Sequence, residues 1–237
     1  TTDEIARELD INYLLSVEGK VYKDFNYATH VKKNIPLHED LPIIRTWDFG
    51  LNPAVVFSQI TSDGQWKVID EIVPDLNLKP TIAQFIPEVQ NYSTENYKGY
   101  KFVDICDIAG KQKSSQTGKT DIDWLLSFGV KPRYNRVYIE EDINLVASRL
   151  INKDFSPEPA LMIAEKCTVT IEAFNGAYKR QKTSTGIGEP PPSQEHPYED
   201  VMDCIRYIAW EFFEPINKQK RKRPRRYSKT DHPLTGY

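Results

Sequence analysis

Three places in this 237-residue chain end or begin with acids that could share one cation. The run Ile43-Ile44-Arg45-Thr46-Trp47-Asp48-Phe49-Gly50 is a largely apolar stretch that closes on a carboxylate and then a glycine. The run Phe102-Val103-Asp104-Ile105-Cys106-Asp107 also closes on a carboxylate. The segment Tyr198-Glu199-Asp200-Val201-Met202-Asp203 opens a helix with three acids. Hard divalent ions such as Mg²⁺ take oxygen ligands, with one or two carboxylates plus waters as a common set. Two such ions about 3.5–4 Å apart activate a water and stabilise the leaving oxygen in phosphodiester cleavage. Asp48, Asp107 and Asp200 are therefore the candidate catalytic and metal-holding acids, with Asp203 as a second ligand or helper and two Mg²⁺ or Mn²⁺ ions as cofactor.

The helix decides which of its acids faces inward. Val201, Cys204, Ile205, Ile208, Ala209 and Phe212 form an apolar stripe at helical spacing. At about 100° per residue, Asp200 falls beside that stripe, Asp203 roughly 60° further round and Glu199 further still. His196 and Glu199 are placed to assist, although acids in a first turn commonly serve the helix dipole alone. Two tempting motifs fail. Asp48-Phe49-Gly50 has no kinase catalytic loop or nucleotide-binding lobe before it. Gly118-Lys119-Thr120 has Lys113 where a Walker A motif needs its first glycine. That stretch reads as a mobile polar loop in which Lys111, Lys113 and Lys119 contact phosphate.

The elements that must carry these acids follow from the chain order. Strands are predicted at 43–48, 54–60 and 66–73, the last two joined by an Asp63-Gly64 hairpin turn. Pro80 opens a helix with Ile82, Phe85, Ile86 and Val89 on one side. A fourth strand at 100–106 follows that helix, so it is expected parallel through a right-handed crossover. A short helix over 121–128, a strand at 137–138, an amphipathic helix over 140–151, a strand at 160–164 and a helix over 168–180 come next. A flexible loop at 181–195 precedes the last helix, 198 to about 213. Three antiparallel strands, a helix, a parallel strand and further α/β units predict an RNase H-like α/β fold with helices on both faces of a mixed sheet. In that order the first and fourth strands are neighbours about 4.8 Å apart, with Asp48 and Asp107 at their ends.

Composition limits the alternatives. Hydrophobic residues make up 39% of the chain, enough for a packed core, and no apolar run reaches the ~20 residues that span a bilayer, so no membrane association is expected. Cys106, Cys167 and Cys204 are widely spaced and expected to be buried free thiols. Residues 218–237 hold eight Lys and Arg against one Asp. The first 217 residues hold 23 Lys and Arg against 33 Asp and Glu, a net charge of −10. An acidic body excludes a generally basic nucleic-acid binder, so local patches must bind phosphate. Residues 1–41 read as a linker, 42–217 as the compact domain and 218–237 as a basic, disordered tail whose Lys220, Arg221 and Arg223 are candidate DNA contacts through salt-dependent attraction.

The motifs together resemble the C-terminal nuclease domain of large terminase subunits from tailed phages, along most of the chain. Trp47-Asp48-Phe49-Gly50 resembles the first catalytic Asp motif of that family. Cys106-Asp107-Ile108-Ala109-Gly110 resembles its strand-end Asp-Pro-Ala-Gly, with Ile108 in place of Pro. His196 to Tyr207, HPYEDVMDCIRY, resembles its Asp-Asp-x-x-Asp-Ala-x-Arg-Tyr signature, with Glu199 for the first Asp and Cys204 for Ala. That substitution leaves Glu199, Asp200 and Asp203 all open as the third ligand. The resemblance implies an endonuclease that cuts concatemeric double-stranded viral DNA during genome packaging in the host cytoplasm. It implies as partners DNA, the portal protein, the small terminase subunit and an ATPase domain joined through the stretch Arg7 to Tyr22. A junction resolvase or transposase core, and a non-enzymatic DNA- or portal-binding module, are the competing readings.

Overall fold

The computed structural model describes residues 19–50, 52–111, 118–135, 138–181 and 190–214. Its centre is a seven-stranded sheet. The strands are β1 (Val31–Lys32), β2 (Ile43–Asp48), β3 (Ala54–Ile60), β4 (Trp66–Ile72), β5 (Phe102–Asp107), β6 (Arg133–Asn135) and β7 (Leu161–Ala164), in the spatial order β1-β7-β4-β3-β2-β5-β6. β2, β3 and β4 form an antiparallel meander, as the two short turns between them require. β5 joins β2 in parallel and β6 joins β5 in parallel. β7 lies parallel to β4 and to β1. The mixed RNase H-like sheet expected from the sequence is present.

Helices cover both faces. They are α1 (Tyr27–His30), α2 (Ile82–Asn96), α3 (Asp121–Ser127), α4 (Ile139–Ile151), α5 (Thr168–Glu172) and α6 (Tyr198–Phe213). Side chains alternate across a strand, so each strand feeds two cores. Ile44, Val56, Val68 and Ile105 pack with Ile143, Val146, Val201, Ile205 and Ile208 of α4 and α6. Ile43, Trp47, Val55, Phe57 and Cys106 pack with Phe85, Ile86 and Val89 of α2 and Leu125 of α3. Full burial of one such side chain stabilises by about 1.5–3 kcal/mol, which is why central strands read as nearly unbroken apolar runs.

Local chemistry sets the helix starts. Thr120 caps α3 by accepting from the Asp123 amide at 2.9 Å, and Asp123 Oδ2 accepts the Thr120 amide at 3.0 Å. The Glu71 carboxylate, at the end of β4, accepts the amides of Val169 and Thr170 at 2.7 and 2.9 Å and so caps α5. Beneath the sheet centre, Arg45 donates to both oxygens of Asp104, from Nε at 2.8 Å and Nη2 at 2.9 Å. Trp47 Nε1 donates to Asp104 Oδ1 at 2.8 Å. Arg45 and Asp104 are directly paired across β2 and β5 and are 6% and 7% exposed. A charge pair this dry persists because its geometry is bidentate and further hydrogen bonds satisfy it.

Several expectations need correction. The strand expected at 137–138 is not where β6 lies. β6 is Arg133–Asn135, Val137 lies outside the described residues, and Tyr138 is the N-cap of α4. The helix expected over 168–180 ends at Glu172 and continues as a wide turn, Ala173–Ala177, because Gly176 sits at φ +128°, where a helix cannot propagate. Lys179 and Arg180 then run extended, bridging Lys20 and Pro192. The packed unit also begins before residue 42, since Tyr22 and Phe25 are buried against Phe174 and β1 belongs to the sheet. All three cysteines are buried and free. Residues 1–18, most of the loop expected at 181–195 and the basic tail lie outside the described residues.

Candidate metal centre

The two strand-end acids are brought together by register. Trp47 pairs with Cys106 across parallel β2 and β5, so Asp48 and Asp107 are the next residues on adjacent strands. Two residues beyond Thr46 and Ile105, both side chains fall on the α6 face. The chain exits are also interlocked. A Cβ at Gly110 would lie 2.7 and 2.8 Å from two carbons of the Phe49 ring, so only glycine lets the ring settle over the turn after β5. That turn is a short 3₁₀ helix, Ile108–Lys111, and the amides of Ile108 and Ala109 bond the Asp107 carboxylate. Among the described residues, the buried Oδ1 atom of Asp107 has no hydrogen-bond partner.

α6 delivers the remaining groups. It packs against β2, β3, β5 and α4, which buries residues all round it rather than along one stripe. Asp200 is 3% exposed, and both its oxygens lie 2.9 Å from His196 Nδ1. Asp203, one turn on, is paired with Arg206 Nη2 through Oδ1. Tyr207 Oη lies 3.1 Å from Asp203 Oδ2 and 3.0 Å from Asp48 Oδ1. Asp48, Asp107, Asp121, His196, Glu199, Asp200, Asp203 and Tyr207 line one open cleft of about 380 Å³, floored by Trp47, Phe49 and Gly110.

Crowding of acids in a half-dry cleft raises their proton affinity. Burial, then the charges of Asp203 and Asp200, push Asp48 well above the usual carboxylate range, against the Tyr207 hydrogen bond. Burial pushes Asp107 up, opposed by its two amide bonds. Burial and the neighbouring Asp203 and Asp200 raise Glu199. Burial raises Asp200 to about 6 even though His196 pulls it down. Burial and the Asp48 and Asp203 charges raise the Tyr207 phenol, keeping its proton in place to donate. Such a cluster is costly as it stands and gains stability from a cation that neutralises it.

The donor set fits a hard divalent ion. It is oxygen-rich, it contains an orphaned buried carboxylate oxygen on Asp107, and it converges on one cleft. Donor atoms of His196, Glu199 and Asp200 lie within 4.8 Å of one another. The cleft thus brings together Asp48, Asp107, Asp200 and Asp203. It does not include Lys111 or Lys119, whose ammonium groups sit 4.0 Å and 4.3 Å from the ring centres of Tyr134 and Trp124. Lys113, Lys220, Arg221 and Arg223 lie outside the described residues. Sequence reasoning missed Tyr207 and Asp121 as cleft residues, and Arg206 as the partner of Asp203. Tyr207 carried a usable signal, standing four residues after Asp203 and so on the same helix face. Asp121 carried none beyond its place in the first turn of α3.

No protein-family model and no curated protein matches the chain. Solved structures do. The large terminase of a thermophilic bacteriophage, in complex with ADP, aligns at TM-score 0.68 and 18% identity, over 84% of this chain and 46% of that one. The P22 large terminase nuclease domain aligns at 0.61 and 14% identity, over 82% of this chain and 93% of that domain. The large terminase nuclease of thermophilic phage G20c, with bound cobalt, aligns at 0.53 and 12%, over 81% and 97%. The chain spans about half the length of the ADP-bound large terminase and nearly the whole of the P22 and G20c domains. Its fold is therefore the RNase H-like fold of phage large-terminase nuclease domains.

Proposed function

We propose that this chain is a metal-dependent endonuclease that cleaves double-stranded, concatemeric viral DNA during genome packaging. The observation that carries the reading is the convergence of Asp48, Asp107, Asp200 and Asp203, from two strands and one helix, on a single cleft with an unpaired Asp107 oxygen. Asp48, Asp107 and Asp200 would hold Mg²⁺ or Mn²⁺, with Asp203 beside them; two ions is the count expected for this chemistry. When bound, the ions supply activation of a water and stabilisation of the leaving oxygen in phosphodiester hydrolysis. The chain's own contribution is positional. β2 and β5 fix the spacing of two carboxylates, Phe49 on Gly110 keeps their exit turns together, and His196 orients Asp200.

The fold likeness supports the same reading, as does the bound cobalt of the G20c nuclease. Since the chain covers about half of the ADP-bound large terminase, an ATPase domain in the same full-length protein is part of the proposal, with DNA, the portal and the small terminase subunit as partners. The test is Mn²⁺-dependent nicking of supercoiled plasmid. Asp48→Ala and Asp107→Ala should each abolish it with the unfolding transition retained, and full activity in either variant sinks the assignment.

A further inference from the structure

We propose that Tyr207 is a positioning residue that sets the orientation of Asp48, and that Asp203, held by Arg206, is the alternative acceptor of the same phenol proton rather than a cation ligand. The inference rests on the metal-site reading above and divides its four acids into two kinds. Asp203 is paired with Arg206 at Oδ1, and its Oδ2 lies 3.1 Å from the Tyr207 phenol. Arg206 is 3% exposed, and among the described residues its Nε and Nη1 have no partner, so Asp203 supplies the hydrogen bond on which that buried cation depends. Among the described residues, Asp48 is engaged at Oδ1, 3.0 Å from the same phenol. A phenol has one proton, which it donates either to Asp48 Oδ1 or to Asp203 Oδ2, so both carboxylates are held to one oxygen of fixed ring direction. Arg206, Asp203, Tyr207 and Asp48 thus lie in sequence from the interior of α6 to the end of β2. Groups that orient a metal-holding carboxylate this way typically contribute about 10–100-fold in metal affinity.

The test is Mn²⁺ affinity, read from the loss of the free-ion electron paramagnetic resonance signal, with no DNA and no turnover. Tyr207→Phe keeps the ring and removes the hydroxyl, and should weaken Mn²⁺ binding about tenfold or more. In a cycle with Asp203→Asn the two effects should be far from additive, because both variants change where one phenol proton is donated. Wild-type affinity in Tyr207→Phe, or additive losses in the double variant, overturns the proposal. Should Tyr207→Phe lack a cooperative unfolding transition, 3-fluorotyrosine at position 207 reads the same contact. Its fluorine resonance should shift on adding Mg²⁺, and an unmoved resonance refutes the role. Asp48→Asn separates the two readings. If it binds Mn²⁺ as well as wild type, the metal site itself is wrong. If it does not bind while Tyr207→Phe binds normally, only the positioning role fails.

Discussion

Asp104→Ala tests whether the buried pair under the sheet is what holds Trp47, and hence Asp48, in place. The substitution leaves the Arg45 guanidinium buried at 6% exposure without its carboxylate, and leaves Trp47 Nε1 without its acceptor. Ser93 Oγ, 3.2 Å from Arg45 Nη1, is a neutral acceptor and cannot replace the lost charge. Breaking a buried pair from one side costs about 3–5 kcal/mol. An orphaned buried donor costs about 1–3 kcal/mol more when it cannot relax. Partial relaxation of Arg45 toward solvent reduces the sum, so a loss of about 4 kcal/mol is expected, against a total stability of about 5–15 kcal/mol. With a urea slope of about 2 kcal/mol/M, the midpoint should fall by roughly 2 M. The paired replacement Arg45→Met with Asp104→Leu removes both charges and leaves only the Trp47 donor stranded. It should cost about 1–2 kcal/mol, well under the single variant. A single-variant shift below about 0.5 M, or a double variant as damaged as the single, would refute this reasoning.

Two further outcomes follow from the cleft and its surroundings. Burial raises Asp200 to about 6 and Asp142 to about 7, so the folded chain holds more protons than the unfolded chain between about pH 4 and 7. Stability of the metal-free protein should therefore fall as pH rises through that window, and Mn²⁺ should restore it at the upper end; a metal-free urea midpoint that rises from about pH 5 to about pH 7.5 contradicts the assignment. Gly110→Ala should cost about 1–3 kcal/mol by driving Phe49 off its seat, and should reduce nicking more than its stability loss explains, measured on folded protein by plasmid assay.

The central sheet was legible because its strands are buried on both faces. Ile43–Trp47, Ala54–Phe57 and Ile105–Cys106 show this as largely apolar runs that no amphipathic helix would carry. The edges were not legible. Arg133-Tyr134-Asn135 has no strand pattern of its own and is extended because β5 offers it a free ladder. Val31-Lys32 is too short for any periodicity. Gly176 ended a helix that propensity alone would have continued. In the cleft, the strand-end acids were readable from sequence position, since an acid closing an apolar run marks a sheet end. Arg206 was not. A one-stripe reading of α6 sends it toward solvent. In the folded protein α6 is enclosed by the sheet and α4, and Arg206 turns inward.

The sheet's two margins have a consequence for assembly. β1 offers two residues and β6 three, and the side chains there include Lys32 and Arg133, one paired with Glu158 and the other with Glu211. Among the described residues, neither border is long enough to template a further strand from another chain. Borders of this kind limit unselective strand addition. Recognition has to be negotiated by side chains on its faces and in its cleft, where it can be specific, and not by backbone amides that would accept any extended peptide.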